Sequence, residues 1–446
     1  MTSQNIKLLF LIVVMSVFCY GKAQKTRDLG DLSLAMDIIE QEYIDKPSRG
    51  KLYQAAMKGM IDSLDPYSAY IPVESLKPFQ AIFDQEFGGL GVSLEGPPRR
   101  DRLTVVATVF DSPAYRAGVI PGDVILKIDD FDSEKEEVDN VSTRMRGREG
   151  TSVTLTVERA NTPEPLQFTI VRAKIEVESV LGDRRRMDGK WEFKMQADER
   201  IAYFRLELFG EKTTDELTSA IRQVSSECKA IIIDLRDNTG GLLNSATDIC
   251  DMFLDDGEMV STLGRDHRID EVYKAKQGTL IPNSIPIAVL INEHSASASE
   301  VLAACLQDRC RATIVGTRSY GKGSVQNVIP LDAGMAAMRL TTARYFPPSG
   351  KNIHREKDAK PEEIWGVMPD SGCEVKIIDE AFKKLVERVR KRSYPIANGL
   401  ASEADKKKPD EASVLEYADW QTADPSLTDD PQLQKAVEVL QAKLKH

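Results

Sequence analysis

Three short stretches of the chain hold residues whose types and spacing could do chemistry. The first is Ile291-Asn292-Glu293-His294-Ser295-Ala296-Ser297-Ala298-Ser299-Glu300, where an apolar run gives way to three alternating serines. A strand ending in small hydroxyl residues ahead of a helix exposes a side chain at a sheet edge, and first-turn N–H groups there can receive an oxyanion. Such a junction suits a serine nucleophile. It suits plain helix capping equally well, and residue type alone does not choose among Ser295, Ser297 and Ser299.

A nucleophilic serine needs a base. His294 lies on the same tight turn as Ser297 and is poorly placed to reach its hydroxyl, and the Gly-x-Ser-x-Gly pattern is absent. Lys322, in Ser319-Tyr320-Gly321-Lys322-Gly323-Ser324, is the other choice. Its flanking glycines let the backbone approach another segment closely, and desolvation would have to hold the amine neutral. The same lysine closes a Gly316 to Lys322 spacing like that of a phosphate-binding loop. That reading needs Ser or Thr where Gly323 stands, and a helix where residues 324–330 read as a strand. The third stretch, Ile233-Asp234-Leu235-Arg236-Asp237-Asn238-Thr239-Gly240-Gly241-Leu242, runs a strand into paired glycines whose N–H groups could converge on an anion.

The elements that must position these residues follow from periodicity. Leu32, Met36, Ile39 and Tyr43 share one helical face, and residues 24–85 read as a helical region. Residues 86–174 read as short strands and glycine turns, a small mostly β unit. Residues 175–395 alternate buried strands with amphipathic helices, which implies an α/β core. Residues 396–430 are rich in charge, Ser and Pro and read as a linker, and an amphipathic helix over 432–444 completes a final region, 396–446. At the start, Lys7, an apolar run over 8–17 and Gly21-Lys22-Ala23 read as a signal peptide over 1–23, hence export to a periplasmic or extracellular setting. An uncleaved membrane anchor is the alternative, although the run is shorter than the roughly 20 residues of a span.

Composition narrows the function classes. A net charge of −11, with no stripe of Lys and Arg, argues against nucleic acid. Neither CxxC nor HExxH occurs and the four histidines are scattered, so neither metal nor cofactor is expected. The five cysteines after the leader make no disulfide framework.

Taken in order, the motifs resemble the C-terminal processing peptidases, or tail-specific proteases, over nearly the whole mature chain. The resemblance rests on Ser63-Leu64-Asp65-Pro66-Tyr67-Ser68, Phe87-Gly88-Gly89-Leu90-Gly91-Val92, Ser112-Pro113-Ala114, Asp234 to Gly241, Ser295 to Glu300, Tyr320 to Gln326 and Leu340 to Phe346. It implies a PDZ-like domain inserted ahead of a serine protease core, with Ser297 as nucleophile, Lys322 as general base and Gln326 orienting the lysine. It places an oxyanion hole at Ala298 with Gly240 or Gly241. Gly89, Leu90, Gly91 and Val92 would hold a substrate's C-terminal carboxylate while the peptide adds as a strand, Leu90 and Val92 lining the pocket for its last side chain. Arg146 matches a PDZ arginine that supports the active arrangement, through a group such as Gln326. Expected partners are polypeptide tails, with an adaptor protein or a homo-oligomer compatible with this architecture. A catalytically dead PDZ scaffold and a nucleotide-binding protein are the readings left to exclude.

Overall fold

The computed structural model describes residues 27–445, apart from 97–101, 134–135, 187, 332–333, 361, 379–380, 382–383, 386–387, 390–391 and 394–426. The expected leader and most of the linker lie outside the described residues. Chain contacts divide the protein into two units, residues 1–76 with 326–341, and residues 77–325 with 342–446.

In the first unit, helix α1 (27–42) precedes α2 (Arg49–Asp62). The second helix ends before Asp65-Pro66, as a residue before proline avoids helical ψ. Asp65 then accepts from the Tyr67 and Ser68 N–H groups, and strand β1 (Ala69–Ile71) pairs antiparallel with residues 337–339. Sequence periodicity showed only helices here; a three-residue strand is too short to leave an alternation signal.

Helix α3 (Val73–Asp84) leads into the second unit. Strand β2 (Glu86–Gly89) enters the inserted β unit and β9 (Ala173–Glu176) leaves it, paired antiparallel from Glu86↔Glu176 to Gly89↔Ala173. Between them β3 (Val92–Glu95), β4 (Thr104–Thr108), β5 (Val124–Ile128), β6 (Phe131–Asp132), β7 (Ser152–Glu158) and β8 (Leu166–Val171) form an antiparallel sheet ordered β3-β4-β5-β7-β8, with β6 on β5. Helices α4 (Pro113–Ala117) and α5 (Val138–Met145) pack with it over a core that includes Leu90, Val105, Ile125, Val141 and Leu155.

The rest of this unit is built on parallel strands. Strands β10 (Val180–Leu181), β14 (Asp198–Leu206), β15 (Ala230–Asp234), β18 (Ile287–Ile291) and β19 (Ala312–Gly316) lie in that order, and the last four run parallel. Short strands β11 (Arg184–Arg185), β12 (Trp191–Glu192) and β13 (Lys194–Met195) precede β14. Strands β15 and β18 are buried throughout, which is why they read as continuous apolar runs. Alternate side chains serve opposite faces. Ile231, Ile233, Val289 and Ile291 meet α6 (Thr213–Val224), α7 (Leu243–Asp251) and α8 (Ala298–Asp308). Ile232, Ala288 and Leu290 meet α9 (Pro431–Lys443) through Leu433, Ala436, Val437 and Leu440. The last helix of the chain therefore covers one face of the central sheet. Strands β16 (Glu258–Leu263) and β17 (Ile269–Lys274) pair with each other. Strand β20 (Ser324–Leu331) pairs with β21 (Ala336–Phe346), whose residues 344–346 meet β16. The expected α/β core, inserted β unit and helical extensions are what the chain adopts.

Candidate active site

The three chemical stretches lie at the carboxyl ends of neighbouring parallel strands: residues 235–241 after β15, 292–297 after β18 and 317–323 after β19. Open α/β sheets bind ligands at such edges. The first two are sewn together by the Asn238 carbonyl, which accepts from Ala296 N at 3.0 Å and Ser299 Oγ at 2.9 Å. Asn292 and Asp237 add a second seam, with Asp237 N donating to Asn292 Oδ1 and Asn292 Nδ2 to Asp237 Oδ1, both at 2.9 Å.

The three serines differ in their surroundings. Ser295 is fully buried, donates its hydroxyl to the Leu235 carbonyl at 2.8 Å and accepts from Asn292 N. Ser299 is fully buried too, its hydroxyl spent on Asn238 O. Ser297 is half-buried and stands at the N-terminus of α8 with φ 57° and ψ −117°, a conformation that costs a non-glycine residue of order 1–3 kcal/mol. His294 is exposed.

Lys322 is half-buried, with buried glycines on either side. Gly321 takes φ +90°, and a Cβ there would meet Arg355 Cβ at 2.7 Å and Trp365 at 2.9 Å. The chain beyond Lys322 enters β20, so the helix a phosphate-binding loop requires is missing, and that reading falls.

One carboxylate joins this loop to the serine turn. Glu300, fully buried on the first turn of α8, accepts from Ser297 N at 2.9 Å and Lys322 N at 2.7 Å through Oε2. Through Oε1 it accepts from Gly321 N at 2.7 Å and Ser319 Oγ at 2.5 Å. Burial lifts its carboxyl from the ordinary 4.5 to about 7, against the downward pull of those four donors. Tyr345, buried on β21, makes the complementary link: its hydroxyl lies 3.1 Å from Ser297 O and also against Lys322 O. The backbones of Ser297 and Lys322 are thus bridged at their N–H groups by Glu300 and at their carbonyls by Tyr345. Sequence reasoning missed both bridges. The Ser297-x-x-Glu300 spacing is the available signal, since Ser-x-x-Glu is a capping-box pattern; nothing local marks Tyr345.

Of the paired glycines, Gly240 spends its amide on Asn238 Oδ1 at 2.8 Å, which removes it as an oxyanion donor. Among the described residues neither Gly241 N nor Ala298 N has a backbone acceptor. Gly240 takes φ +103° close to the serine turn, where a Cβ would sit 2.8 Å from Ser297 Cβ.

Below the turn lies a buried ionic knot. Arg236 pairs with Asp234 at 2.6 Å and with Asp430 at 2.8 Å, and Tyr203 donates its hydroxyl to Asp234 at 2.7 Å. Asp430 also caps α9, accepting from Leu433 N.

The remaining expected residues are placed as follows. Gln326 belongs to the first unit, where its Nε2 donates to Thr341 Oγ1 at 3.2 Å. Gly89 pairs with Ala173, and Gly91, at φ +77°, turns the chain into β3. Leu90 is only 2% exposed and belongs to the core of the β unit, so its side chain does not line an open pocket as expected. Val92 is half-buried at the start of β3, which pairs with β4 along one edge and ends the sheet on the other. Arg146 is exposed, its guanidinium 5.5 Å from the centre of the Phe87 ring. Among the described residues no group of three or more His, Cys, Asp or Glu side chains could hold a metal, and no helix is long and apolar enough to cross a membrane.

Residues 200–371 match the model of peptidase family S41, residues 104–159 a PDZ domain model, and residues 19–75 that of the activating protease CtpB N-terminal domain. The carboxy-terminal-processing protease of Bartonella bacilliformis is 39% identical over 348 residues, covering 77% of this chain and 76% of that protein. The carboxy-terminal processing protease CtpA of Bacillus subtilis is 29% identical across 99% of this chain and 100% of its own length. A crystal structure of a putative S41 protease from Bacteroides fragilis, 15% identical, covers 87% of this chain and 97% of its own with a TM-score of 0.49.

Proposed function

The chain belongs to the carboxy-terminal processing proteases of peptidase family S41, serine-type peptidases, and from that premise we propose a Ser297–Lys322 endopeptidase that selects polypeptides by their C-termini. The observation that carries this reading is the pair of bridges, Glu300 and Tyr345, linking the backbones of the two residues. Lys322, held neutral, takes the Ser297 proton as the hydroxyl attacks the scissile carbonyl. The Ala298 and Gly241 amides then receive the oxyanion. Lys322 returns the proton to the leaving amine, and water later hydrolyses the acyl-enzyme.

Selection falls to the PDZ domain. The terminal carboxylate is held at the Gly89 to Val92 turn, while the substrate's last residues extend the sheet along the unpaired edge of β3. Val92 contributes to the side-chain pocket and favours an apolar terminus. Gln326 orients the lysine and Arg146 links peptide binding to the active arrangement. The substrates on this reading are secreted or envelope polypeptides.

The test is cleavage of an unfolded protein carrying an apolar C-terminus, with no nucleotide or metal added. Wild type cuts; Ser297→Ala and Lys322→Ala do not, and their losses do not add. His294→Ala keeps at least about a tenth of the rate, a loss of at most about 1.4 kcal/mol. Absence of any cleavage by wild type would leave a PDZ scaffold, and cleavage surviving Ser297→Ala would move the nucleophile elsewhere.

A further inference from the structure

We propose that Glu300, acting as an ionised carboxylate, is a positioning residue that fixes the spacing of the nucleophile and base backbones, with Tyr345 closing the same tie from the opposite side. This rests on the Ser297–Lys322 reading and adds to it a third charged group that neither attacks nor takes a proton.

The partners of Glu300 dictate its charge state. Three of the four are backbone N–H groups, which can only donate. The fourth, Ser319 Oγ, already accepts from Val367 N at 2.7 Å, so its own proton is directed to Glu300. A neutral carboxylic acid would aim its O–H at one of these donors, and a neutral amide would aim its NH2 at two. Its place on the first turn of α8 favours the negative charge. Burial opposes it and leaves the carboxyl titrating near neutrality.

An ordinary capping box would hold its own helix and nothing else. Here three of the four bonds go to residues 319–322, on a different segment. Tyr345 has one hydroxyl proton and two carbonyls within reach, Ser297 O and Lys322 O, so it too spans both segments. When Glu300 is protonated, at least one of its bonds is lost and Ser297 and Lys322 are free to drift apart. The other charged or titrating groups packed around the site are Lys322 on the same loop, Tyr345 on β21, and His354 and Arg355, whose segment rests on Gly323 and Gly321. His294 and Asp237 belong to the serine and glycine turns.

The test measures kcat and KM on a short peptide substrate between about pH 5 and 9. Two deprotonations, of Lys322 and of Glu300, are needed for activity, so the logarithm of kcat/KM should fall with a limiting slope of two on the acid side. In Glu300→Gln the slope becomes one and kcat drops roughly 100-fold with KM little changed, as expected for a misplaced catalytic pair. Tyr345→Phe lowers kcat while keeping the slope of two. Wild-type kcat and slope in a folded Glu300→Gln protein would overturn the proposal. If that variant does not fold, the wild-type profile decides, because a limiting slope of one in folded wild type overturns it equally. Ser297→Ala, run alongside, separates the two claims. Cleavage that survives it sinks the dyad; cleavage lost there but unaltered in Glu300→Gln sinks only the tie.

Discussion

At the scale of single residues, three serines within five positions meet two fates. Ser295 and Ser299 are fastened to backbone carbonyls inside the fold, while Ser297 is held in a strained conformation at the helix start. Ser295→Ala and Ser299→Ala are therefore expected to keep cleavage activity and to lose about 1–3 kcal/mol of stability each, the cost of stranding buried polar partners. Urea unfolding followed by a rate assay measures both quantities. An inactive but fully stable Ser295→Ala would contradict the assignment. The sequence could not make this distinction, because whether a hydroxyl is spent depends on carbonyls sixty residues away in the chain. Only the order of motifs pointed to Ser297. Gly240 shows the reverse: the paired glycines marked an anion-binding turn, but a neighbouring asparagine had already claimed one of the two amides.

At the scale of elements, the strand edges that carry the site were legible because β15 and β18 are continuous apolar runs ending at glycine or serine turns. Pairing partners were less so. The β1 contact with β21 joins segments some 270 residues apart and leaves no local pattern. The turn after β15 makes its own demand: Gly240 combines φ +103° with a close approach to Ser297. Gly240→Ala would force a Cβ within 2.8 Å of the Ser297 Cβ, and a left-handed L-residue costs roughly 1–2 kcal/mol besides. The expected result is loss of turnover in a protein that still folds, read by pairing a peptide-cleavage assay with a thermal melt. Full activity would show that the turn relaxes without disturbing Ser297. The knot beneath this turn predicts a larger effect on stability. Asp430→Ala leaves the Arg236 guanidinium buried beside one carboxylate instead of two, with the Gln432 amide oxygen at 3.3 Å, and breaking such a pair typically costs about 3–5 kcal/mol. Denaturant midpoints measure it, and a loss below about 1 kcal/mol, the worth of a surface pair, would mean that Arg236 finds another acceptor.

At the scale of the whole molecule, one titrating group ties stability to pH. Glu300 holds its proton to about pH 7 when folded and to about 4.5 when unfolded, so the folded state binds the extra proton between those values. Stability should fall as pH rises through that window, by about 3 kcal/mol in all, and then level off. Asp198 acts at the other end: its bond with Arg200 lowers its carboxyl to about 2, so its contribution is present above about pH 4 and fades below. Thermal melts between about pH 5 and 7.5 should show the Glu300 decline in wild type and its absence in Glu300→Gln; equal pH dependence in both would assign the effect to another group. The last helix acts as a keystone. Asp430 lies 194 residues along the chain from Arg236. A chain folded only as far as the serine turn therefore lacks half of the ionic knot and the helix that covers the second face of its sheet, and both arrive together when α9 docks.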